Sequence, residues 1–296
     1  MTRRMILPFV GLLVVGAACR PASAEEKTLF KKTTPFTILT VTENKGVRTL
    51  WFGKAFAPES IVKVGDPDYV EFEYVRAMFT GLALVEEPKR VLMIGLGGGS
   101  IPSFLRKHYP KLTIDVVDID KDVVDVAKKY FGFREDEAMK VFVEDGRKFI
   151  EKNKEPYDII FLDAYGPDNI PYDLATKEFL QAVRKAVKPK GLVVANVWSS
   201  SCNPYNAAML RTYQEVFENL SIVDLWDDAN EIFLAVPRKE AIDRDAFARR
   251  ATKLSKEQKH QFDLGAYVIW GYRDANARHP QARILLDKDK AIKPQE

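Results

Sequence analysis

The sequence has 296 residues, with 45 lysines and arginines against 42 aspartates and glutamates, so the net charge is +3 at neutral pH. This near balance argues against a nucleic-acid-binding protein that works by bulk charge. A hydrophobic fraction of 46% with 29% charged residues is ordinary globular composition, which excludes a disordered or fibrous chain. Two cysteines and three scattered histidines exclude a disulfide framework and a zinc motif.

The first 24 residues have the composition of an export signal peptide. Two arginines precede an apolar run over residues 5–18, and residues 22–24 (Ala-Ser-Ala) are typical of a signal-peptidase site. The run is shorter than the roughly 20 residues that a transmembrane helix needs. Three export routes stay open: a general secretory signal, a twin-arginine signal, or a lipoprotein with its lipid anchor at Cys19. We expect an exported protein, either periplasmic or anchored to a membrane as a lipoprotein.

Residues 25–85 are predicted to form a small antiparallel β-lobe and a connecting helix. Apolar and polar residues alternate over residues 36–42 and 47–52, and a third short strand is predicted over residues 61–64. Apolar residues at helical spacing then predict a helix over residues 69–84.

Residues 86–240 alternate between predicted strands and helices, which is typical of a mostly parallel, doubly wound α/β sheet. Strands are predicted over residues 91–94, 112–117, 141–143, 157–162, 192–197, 222–226 and 232–236. Helices are predicted over residues 101–108, 120–130 (with Asp120 as N-cap), 147–152, 174–187 and 205–220. Residues 241–296 are predicted as a helical extension with a late strand at residues 284–286.

Glycine or aspartate follows each of the first four strands of this predicted sheet, where the ligands of such folds bind. The marked positions are Gly95, Gly97, Gly98 and Gly99 after the first strand, Asp118 after the second, Asp145 and Gly146 after the third, and Asp163 after the fourth. Glycines let a backbone approach a ligand and leave helix N-terminal amides accessible.

Two of these carboxylates indicate a nucleoside ligand. Asp118 lies 23 residues after Gly95, where a carboxylate accepts the hydroxyls of a ribose. Asp145 separates the alternatives, because a dinucleotide fold needs no carboxylate there, whereas the adenine amino group of a single nucleoside can be met at that loop. The sequence therefore favours a Rossmann-like, class I methyltransferase-type sheet that binds an S-adenosylmethionine-type nucleoside, preceded by a small antiparallel β-lobe.

Several segments resemble the spermidine synthase (polyamine aminopropyltransferase) family, specifically a spermidine synthase-like branch. They are residues 71–74 (EFEY), 91–99 (VLMIGLGGG), 116–120 (VVDID), 144–147 (EDGR) and 157–160 (YDII). The resemblance covers roughly residues 45–240. It implies a transferase of polyamine biosynthesis that uses S-adenosylmethionine or decarboxylated S-adenosylmethionine as co-substrate, needs no metal, and transfers an aminopropyl or related alkyl group to a small amine such as putrescine.

The resemblance also assigns residues to roles. Asp118 becomes the ribose ligand with Ile119 beside it among the cofactor-binding residues, Asp145 and Gly146 become the adenine contact, and Tyr74 lines the amine pocket. A homodimer is implied on the same ground, and no nucleic acid partner is expected.

The chain departs from the family pattern at two carboxylates. Gly98 replaces an aspartate of the glycine loop, and Gly166 replaces the aspartate that takes the proton from the attacking amine. An alkylammonium ion with a pKa near ~10.4 is almost wholly protonated at neutral pH and has no lone pair for attack. Losing a positioned base costs about 10²–10⁴-fold in rate. Asp168 is a candidate substitute, and Asp163 is expected to orient the acceptor.

Two other functions stay open at this point. One is a small-molecule methyltransferase on the same sheet, and the other is a nucleoside-binding protein that has lost catalysis.

Overall fold

The computed structural model describes residues 26–53, 58–166, 169–226, 229–278 and 281–289. The predicted signal peptide with Cys19, and the candidate base Asp168, lie outside the described residues. Within the described ranges, no helix combines the length and the apolar character needed to cross a bilayer.

A four-stranded antiparallel sheet, here called the small sheet, comes first. Its strands, in their order across the sheet, are β1 (Lys27–Thr33), β2 (Ile38–Asn44), β3 (Val47–Phe52) and β4 (Ser60–Lys63). The antiparallel pairing agrees with the sequence prediction except that β1 was not predicted. β1 is an edge strand whose lysines are exposed on both faces, so it lacks the alternating pattern of a half-buried strand.

An eight-stranded sheet, here called the main sheet, follows. Its strands are β5 (Arg90–Ile94), β6 (Thr113–Asp118), β7 (Met139–Val143), β8 (Tyr157–Leu162), β9 (Val187–Trp198), β10 (Asn219–Asp224), β11 (Asn230–Val236) and β12 (Tyr272–Asp274). Across the sheet the order is β12-β10-β11-β9-β8-β5-β6-β7, with parallel pairing from β9 to β7 and antiparallel pairing from β9 to β12. The predicted α/β fold class is therefore confirmed.

Helices cover both faces of the main sheet. They are α1 (Glu73–Met78), α2 (Ser100–His108), α3 (Lys121–Tyr130), α4 (Gly146–Lys152), α5 (Lys177–Ala186), α6 (Asn206–Val216), α7 (Arg244–Glu257) and α8 (Leu264–Gly271). Successive side chains of β5 enter different apolar clusters, Val91 on one face and Leu92 on the other, as expected of a strand buried on both sides. Asp120 caps α3 as predicted, since its side chain accepts a hydrogen bond from the Asp122 backbone amide.

The helix predicted over residues 69–84 is shorter than expected. The segment is α-helical only in α1 and then tightens into a 3₁₀ helix, Phe79–Leu84. This stretch lies directly against β9, where a Cβ atom on Gly81 would stand 2.5 Å from the Val194 side chain. Packing against the sheet therefore decides its geometry, and helical periodicity alone does not.

The predicted late strand at residues 284–286 is not present, and the C-terminal edge strand is β12 instead. Residues 281–289, here called the C-terminal segment, run across α4, α5 and α6. The Leu285 carbonyl accepts from the Lys177 amide at 2.8 Å, and the Leu285 amide donates to Thr212 Oγ1 at 3.0 Å. Asp287 accepts two hydrogen bonds from the guanidinium of Arg147, at 2.7 and 2.6 Å. Leu285 is buried, but its backbone hydrogen bonds are made to helices and not to a neighbouring strand.

Candidate active site

A cavity of about 350 Å³ lies beyond the carboxyl ends of β5, β6 and β8, between the main sheet and the small sheet. It brings together most of the predicted site residues, namely Tyr74, Gly95, Gly97, Asp118, Ile119, Asp145, Gly146 and Asp163. Gly166 also lines it. Residues far apart in the sequence thus converge on one space, as the strand-end argument required.

Gly98 and Gly99 are a correction to the sequence expectation, because neither lines this cavity. They face a separate cavity of about 370 Å³ on the other side of the glycine loop. The Gly98 amide donates to Ser60 Oγ at 2.9 Å, and a Cβ atom on Gly98 would stand 2.9 Å from the Ser60 Cβ atom and 3.0 Å from the Phe131 ring. This glycine therefore allows the small sheet to dock closely on the loop.

Gly95 is required for a different reason. Its φ of +95° lies in the left-handed region, and a Cβ atom there would stand 2.2 Å from the carbonyl oxygen of Asp163. Only glycine tolerates both the conformation and the close approach. The start of the glycine loop is therefore pressed against the end of β8, which fixes Asp163 relative to the loop.

Asp118 is held by the backbone at the end of β6. Its Oδ2 accepts from the Leu96 amide and its Oδ1 from the Asp120 amide, each at 2.9 Å. Burial raises the pKa of this carboxyl to about 6 in spite of these bonds. Each carboxylate oxygen keeps further acceptor capacity, so the fixed side chain can receive ribose hydroxyls. The neighbouring Ile119 is 45% exposed and offers an apolar surface at the cavity.

Asp145 serves as the N-cap of α4, since its Oδ1 accepts from the Lys148 amide at 3.0 Å. A Cβ atom on the following residue, Gly146, would stand 2.6 Å from the Ile94 side chain, so the loop lies close over the end of β5. A capping carboxylate still has a second oxygen for a ligand. The cap explains why the side chain is fixed at the cavity.

Asp163 is oriented by two asparagines that sequence reasoning missed. Asn196 Nδ2 donates to Asp163 Oδ1 at 2.9 Å, and Asn230 Nδ2 donates to Asn196 Oδ1 at 2.8 Å. The Tyr165 hydroxyl donates to the Asn196 carbonyl at 3.0 Å. Burial raises the pKa of Asp163 to about 6. A buried asparagine within the apolar run of β9 was the available sequence signal, because buried polar groups need partners.

Glu59 is the second residue type that sequence reasoning missed, and it reaches the cavity from the small sheet. It is half-buried, and its carboxylate accepts no hydrogen bond from the described residues. Burial, followed by the nearby negative charge of Asp163, raises the pKa of Glu59 to about 7. Burial and the charges of Asp163 and Glu59 also raise the pKa of Tyr74 well above its usual value, so this phenol stays neutral.

The charged residues that line the cavity, among those that the structure describes, are all acidic. Its described lining residues include six carboxylates and no lysine, arginine or histidine. The six are Glu59, Asp118, Asp120, Asp145, Asp163 and Asp173. No group of three histidine, cysteine, aspartate or glutamate side chains in the described part of the chain could hold a metal ion. The electrostatics of the cavity favour a cationic occupant.

Parallel strands in this order, a glycine loop after β5 and a buried aspartate at the end of β6 define an α/β fold of the methyltransferase and aminopropyltransferase type. The spermine/spermidine synthase domain family matches residues 71–224, just over half of the chain. The chain belongs to this family.

Curated relatives include two kinds of transferase. The chain is 34% identical over 187 residues to the polyamine aminopropyltransferase of Vibrio vulnificus, covering 60% of this chain and 62% of that protein. It is 31% identical to the Clostridium beijerinckii polyamine aminopropyltransferase, covering 68% of this chain and 70% of that one. It is also 32% identical to the Bos taurus eEF1A lysine and N-terminal methyltransferase, covering 56% of this chain but only 26% of the relative. The alignment thus spans less than two thirds of the length of the Vibrio and bovine proteins.

Solved structures point to the same two groups. A probable spermidine synthase from Corynebacterium glutamicum superposes with a TM-score of 0.69 over 90% of this chain and 98% of that one, at 18% identity. A spermidine synthase in complex with the transition-state analogue AdoDATO gives 0.67 over 82% and 84%, at 20% identity. Human methyltransferase-like protein 13, in complex with SAH, gives 0.59 over 64% and 93%, at 28% identity. The first two likenesses establish the fold alone.

Proposed function

We propose that this protein transfers an aminopropyl or related alkyl group from an S-adenosyl sulfonium nucleoside to an amine. The observation that carries the proposal is that every charged residue among the described lining residues of the cavity is acidic. Both reactants of such a transfer are cations, a sulfonium and an ammonium ion. Carboxylates that are partly desolvated attract such ions more strongly than carboxylates in water do.

Different residues of the chain bind different parts of the two reactants. Asp118, fixed by two backbone amides, holds the ribose, and Asp145 with Gly146 receives the adenine. Asp163, fixed by Asn196, orients the acceptor amine towards the carbon attached to sulfur. The amine lone pair forms the new N–C bond while the C–S bond breaks, and its electron pair stays on sulfur as a neutral thioether. Catalysis of this kind depends mainly on positioning.

The relatives support an amine acceptor, because both transferase names describe one: a polyamine in the Vibrio protein and a lysine or N-terminus in the bovine one. The SAH and AdoDATO complexes of two structural neighbours support a ligand of the S-adenosylmethionine type.

Methyl transfer is the second candidate, favoured by the methyltransferase likeness at 28% identity. Purified protein incubated with putrescine and either decarboxylated or ordinary S-adenosylmethionine separates the two. Spermidine formed only from the decarboxylated donor supports aminopropyl transfer, and a methylated amine formed from the ordinary donor supports methyl transfer.

Loss of catalysis is the third candidate, favoured by the missing side chain at Gly166. Calorimetric titration with methylthioadenosine tests it together with the turnover assay. Tight binding without turnover supports a binding protein, and absence of any nucleoside binding overturns all three functions.

Export is proposed on the sequence of residues 1–24. Fractionation of cells that produce the full chain, compared with a Cys19→Ala variant, separates the routes. Membrane attachment that the variant loses supports a lipid anchor, and retention of uncleaved protein in the cytoplasm contradicts export. A homodimer is proposed from the family likeness alone, and light scattering of the purified protein tests it.

A further inference from the structure

We propose that Glu59 takes the proton from the acceptor amine, in place of the carboxylate that the loop after β8 lacks at Gly166. The proposal rests on the amine transfer proposed above. It assigns a catalytic role to a residue that directly precedes β4 of the small sheet.

Glu59 is a carboxylate near Asp163 that lines the cavity and accepts no hydrogen bond within the described part of the chain. Gly166 lines the cavity with no side chain, and its amide donates to the Asn169 carbonyl at 2.9 Å. Asp163 is immobilised by Asn196, which suits an orienting group. Glu59 accepts no hydrogen bond from the described residues, so both of its oxygens are available to an amine. The two carboxylates therefore differ in role although they share the cavity.

The groups around Glu59 affect the pKa of its carboxyl group. Those that interact with it are Asp163 from the end of β8, Tyr165 from the following loop and Tyr74 from α1. Asp118, Asp120, Asp145 and Asp173 line the same cavity, and no basic side chain lines it among the described residues. The pKa of Glu59 is raised to about 7 by burial and by Asp163. A general base works best when its pKa lies near the working pH, so Glu59 is better matched than an ordinary carboxylate.

The proton and electron balance is complete without a further reactant. The ammonium gives one proton to the Glu59 carboxylate, which leaves a neutral amine and a neutral carboxylic acid. The amine nitrogen bonds to the carbon as the C–S bond breaks, so the positive charge moves from sulfur to nitrogen. Glu59 then releases its proton to water.

The first test is Glu59→Gln, with Glu86→Gln as the control, because Glu86 is exposed and the charge change is the same. We expect Glu59→Gln to lower kcat by about 10²–10⁴-fold while the affinity for methylthioadenosine stays within about twofold. In the wild type, kcat/KM should rise with pH through about 7, the pKa of Glu59 in the free protein. The variant should lose this rise, whereas a merely structural role would leave the pH profile in place. Glu86→Gln should behave as wild type.

A rescue variant separates the role of a base from that of a structural carboxylate. Gly166→Asp in the Glu59→Gln background supplies a carboxylate at the other side of the cavity and should restore kcat at least tenfold. If Glu59 were needed only for the structure, a carboxylate at residue 166 would not repair the loss, because the two positions are far apart in the sequence. Active wild type together with a Glu59→Gln variant of unchanged rate and pH profile overturns the inference and leaves the proposed transfer intact.

Proton release on amine binding gives a readout without turnover. Putrescine is titrated into protein saturated with methylthioadenosine at pH 7, in buffers of different ionisation enthalpy. Cation binding favours ionised Glu59, so the wild type should release protons and Glu59→Gln should release fewer. Equal release by the two proteins overturns the inference, even if no transfer is detected and the proposed function itself fails.

Discussion

At the scale of single residues, Asp118 is the best test of where the nucleoside binds. Asp118→Ala removes the acceptors for the ribose, and each hydrogen bond to a charged group is worth about 1.5–3 kcal/mol. The affinity for methylthioadenosine should therefore fall at least tenfold, since 1.4 kcal/mol is about a factor of ten. Calorimetric titration measures it, and thermal unfolding of the same sample checks the fold. Asp125→Ala, on the exposed side of α3, is the control and should bind as wild type. An unchanged affinity in Asp118→Ala would place the nucleoside elsewhere.

Gly166 and Gly98 both stand where the family has an aspartate. We expect opposite results when each is changed to aspartate. Gly166 has no left-handed φ, and a Cβ atom there meets only the Asn169 carbonyl at 3.4 Å. Gly166→Asp should fold normally and bind the nucleoside as before. It should raise transfer most below pH 7, where Glu59 is largely protonated. If the variant is stable and binds the nucleoside but transfers no faster at any pH, then the lack of a base at residue 166 does not limit the rate.

Gly98→Asp should instead destabilise the protein. Its Cβ atom would crowd Ser60 and Phe131, at 2.9 and 3.0 Å. Overpacking of this kind costs about 1–3 kcal/mol, and denaturant unfolding measures it against wild type. The same titration gives the nucleoside affinity. Normal stability would show that the small sheet can move away from the loop.

Sequence reasoning found the site residues that follow strands of the main sheet, and it missed those that tertiary packing brings to the cavity. Asp118, Asp145 and Asp163 follow strands of one sheet, and the geometry of parallel strands brings such ends together. Glu59 comes from another sheet, so no spacing rule relates it to them. Asn196 lies inside a buried strand, and its partner across the sheet is fixed only by the pairing of β11 with β9.

At the scale of elements, strands buried on both faces were found most accurately, because their apolar runs are continuous. Element boundaries depended on local chemistry that the patterns do not contain. The helix predicted from residue 174 begins only at Lys177, where Thr176 accepts from the Phe179 amide and caps it. The helix ends at Ala186, and residues 187–191, which precede the strand predicted over residues 192–197, already belong to β9.

The C-terminal segment permits a prediction at this scale. Asp287→Ala removes the paired hydrogen bonds to Arg147, which is partly exposed, so the loss should be about 1 kcal/mol. With an unfolding entropy of about 2.1 cal/mol/K per residue, the midpoint of thermal unfolding of a 296-residue chain should fall by about 1.5–2 °C. Lys288→Ala, at an exposed neighbouring position, is the control and should melt as wild type. Equal melting of both variants would show that the Asp287–Arg147 ion pair does not stabilise the docked segment.

At the scale of the whole molecule, the acidic cavity makes stability depend on pH. The folded-state pKa values of Glu59, Asp118 and Asp163, about 7, 6 and 6, lie above the ordinary values of these carboxyl groups, 4.5, 3.8 and 3.8. For acids with raised pKa values, folding is favoured below the unfolded pKa, and this contribution is lost as pH rises through the folded pKa. These three groups should therefore lower the stability of the free protein between about pH 4 and pH 7.

Thermal unfolding across this pH range measures the effect. Glu59→Gln should flatten the upper part of the curve, and Glu86→Gln should not. A saturating sulfonium nucleoside should also flatten it, since a bound cation stabilises the ionised carboxylates. Identical curves for wild type and Glu59→Gln would show that Glu59 titrates as it does in the unfolded chain.

The C-terminal segment also has a consequence for how the chain reaches its native state. Its contacts join positions far apart: 140 residues separate Arg147 from Asp287, and 73 separate Thr212 from Leu285. Closing such loops costs conformational entropy before the contacts can form, which slows folding. The apolar surface of α4, α5 and α6 that receives Leu285 therefore stays uncovered until residues 281–289 dock on it. Covering of this face is therefore a late step of folding, and until it occurs the chain exposes an apolar surface there.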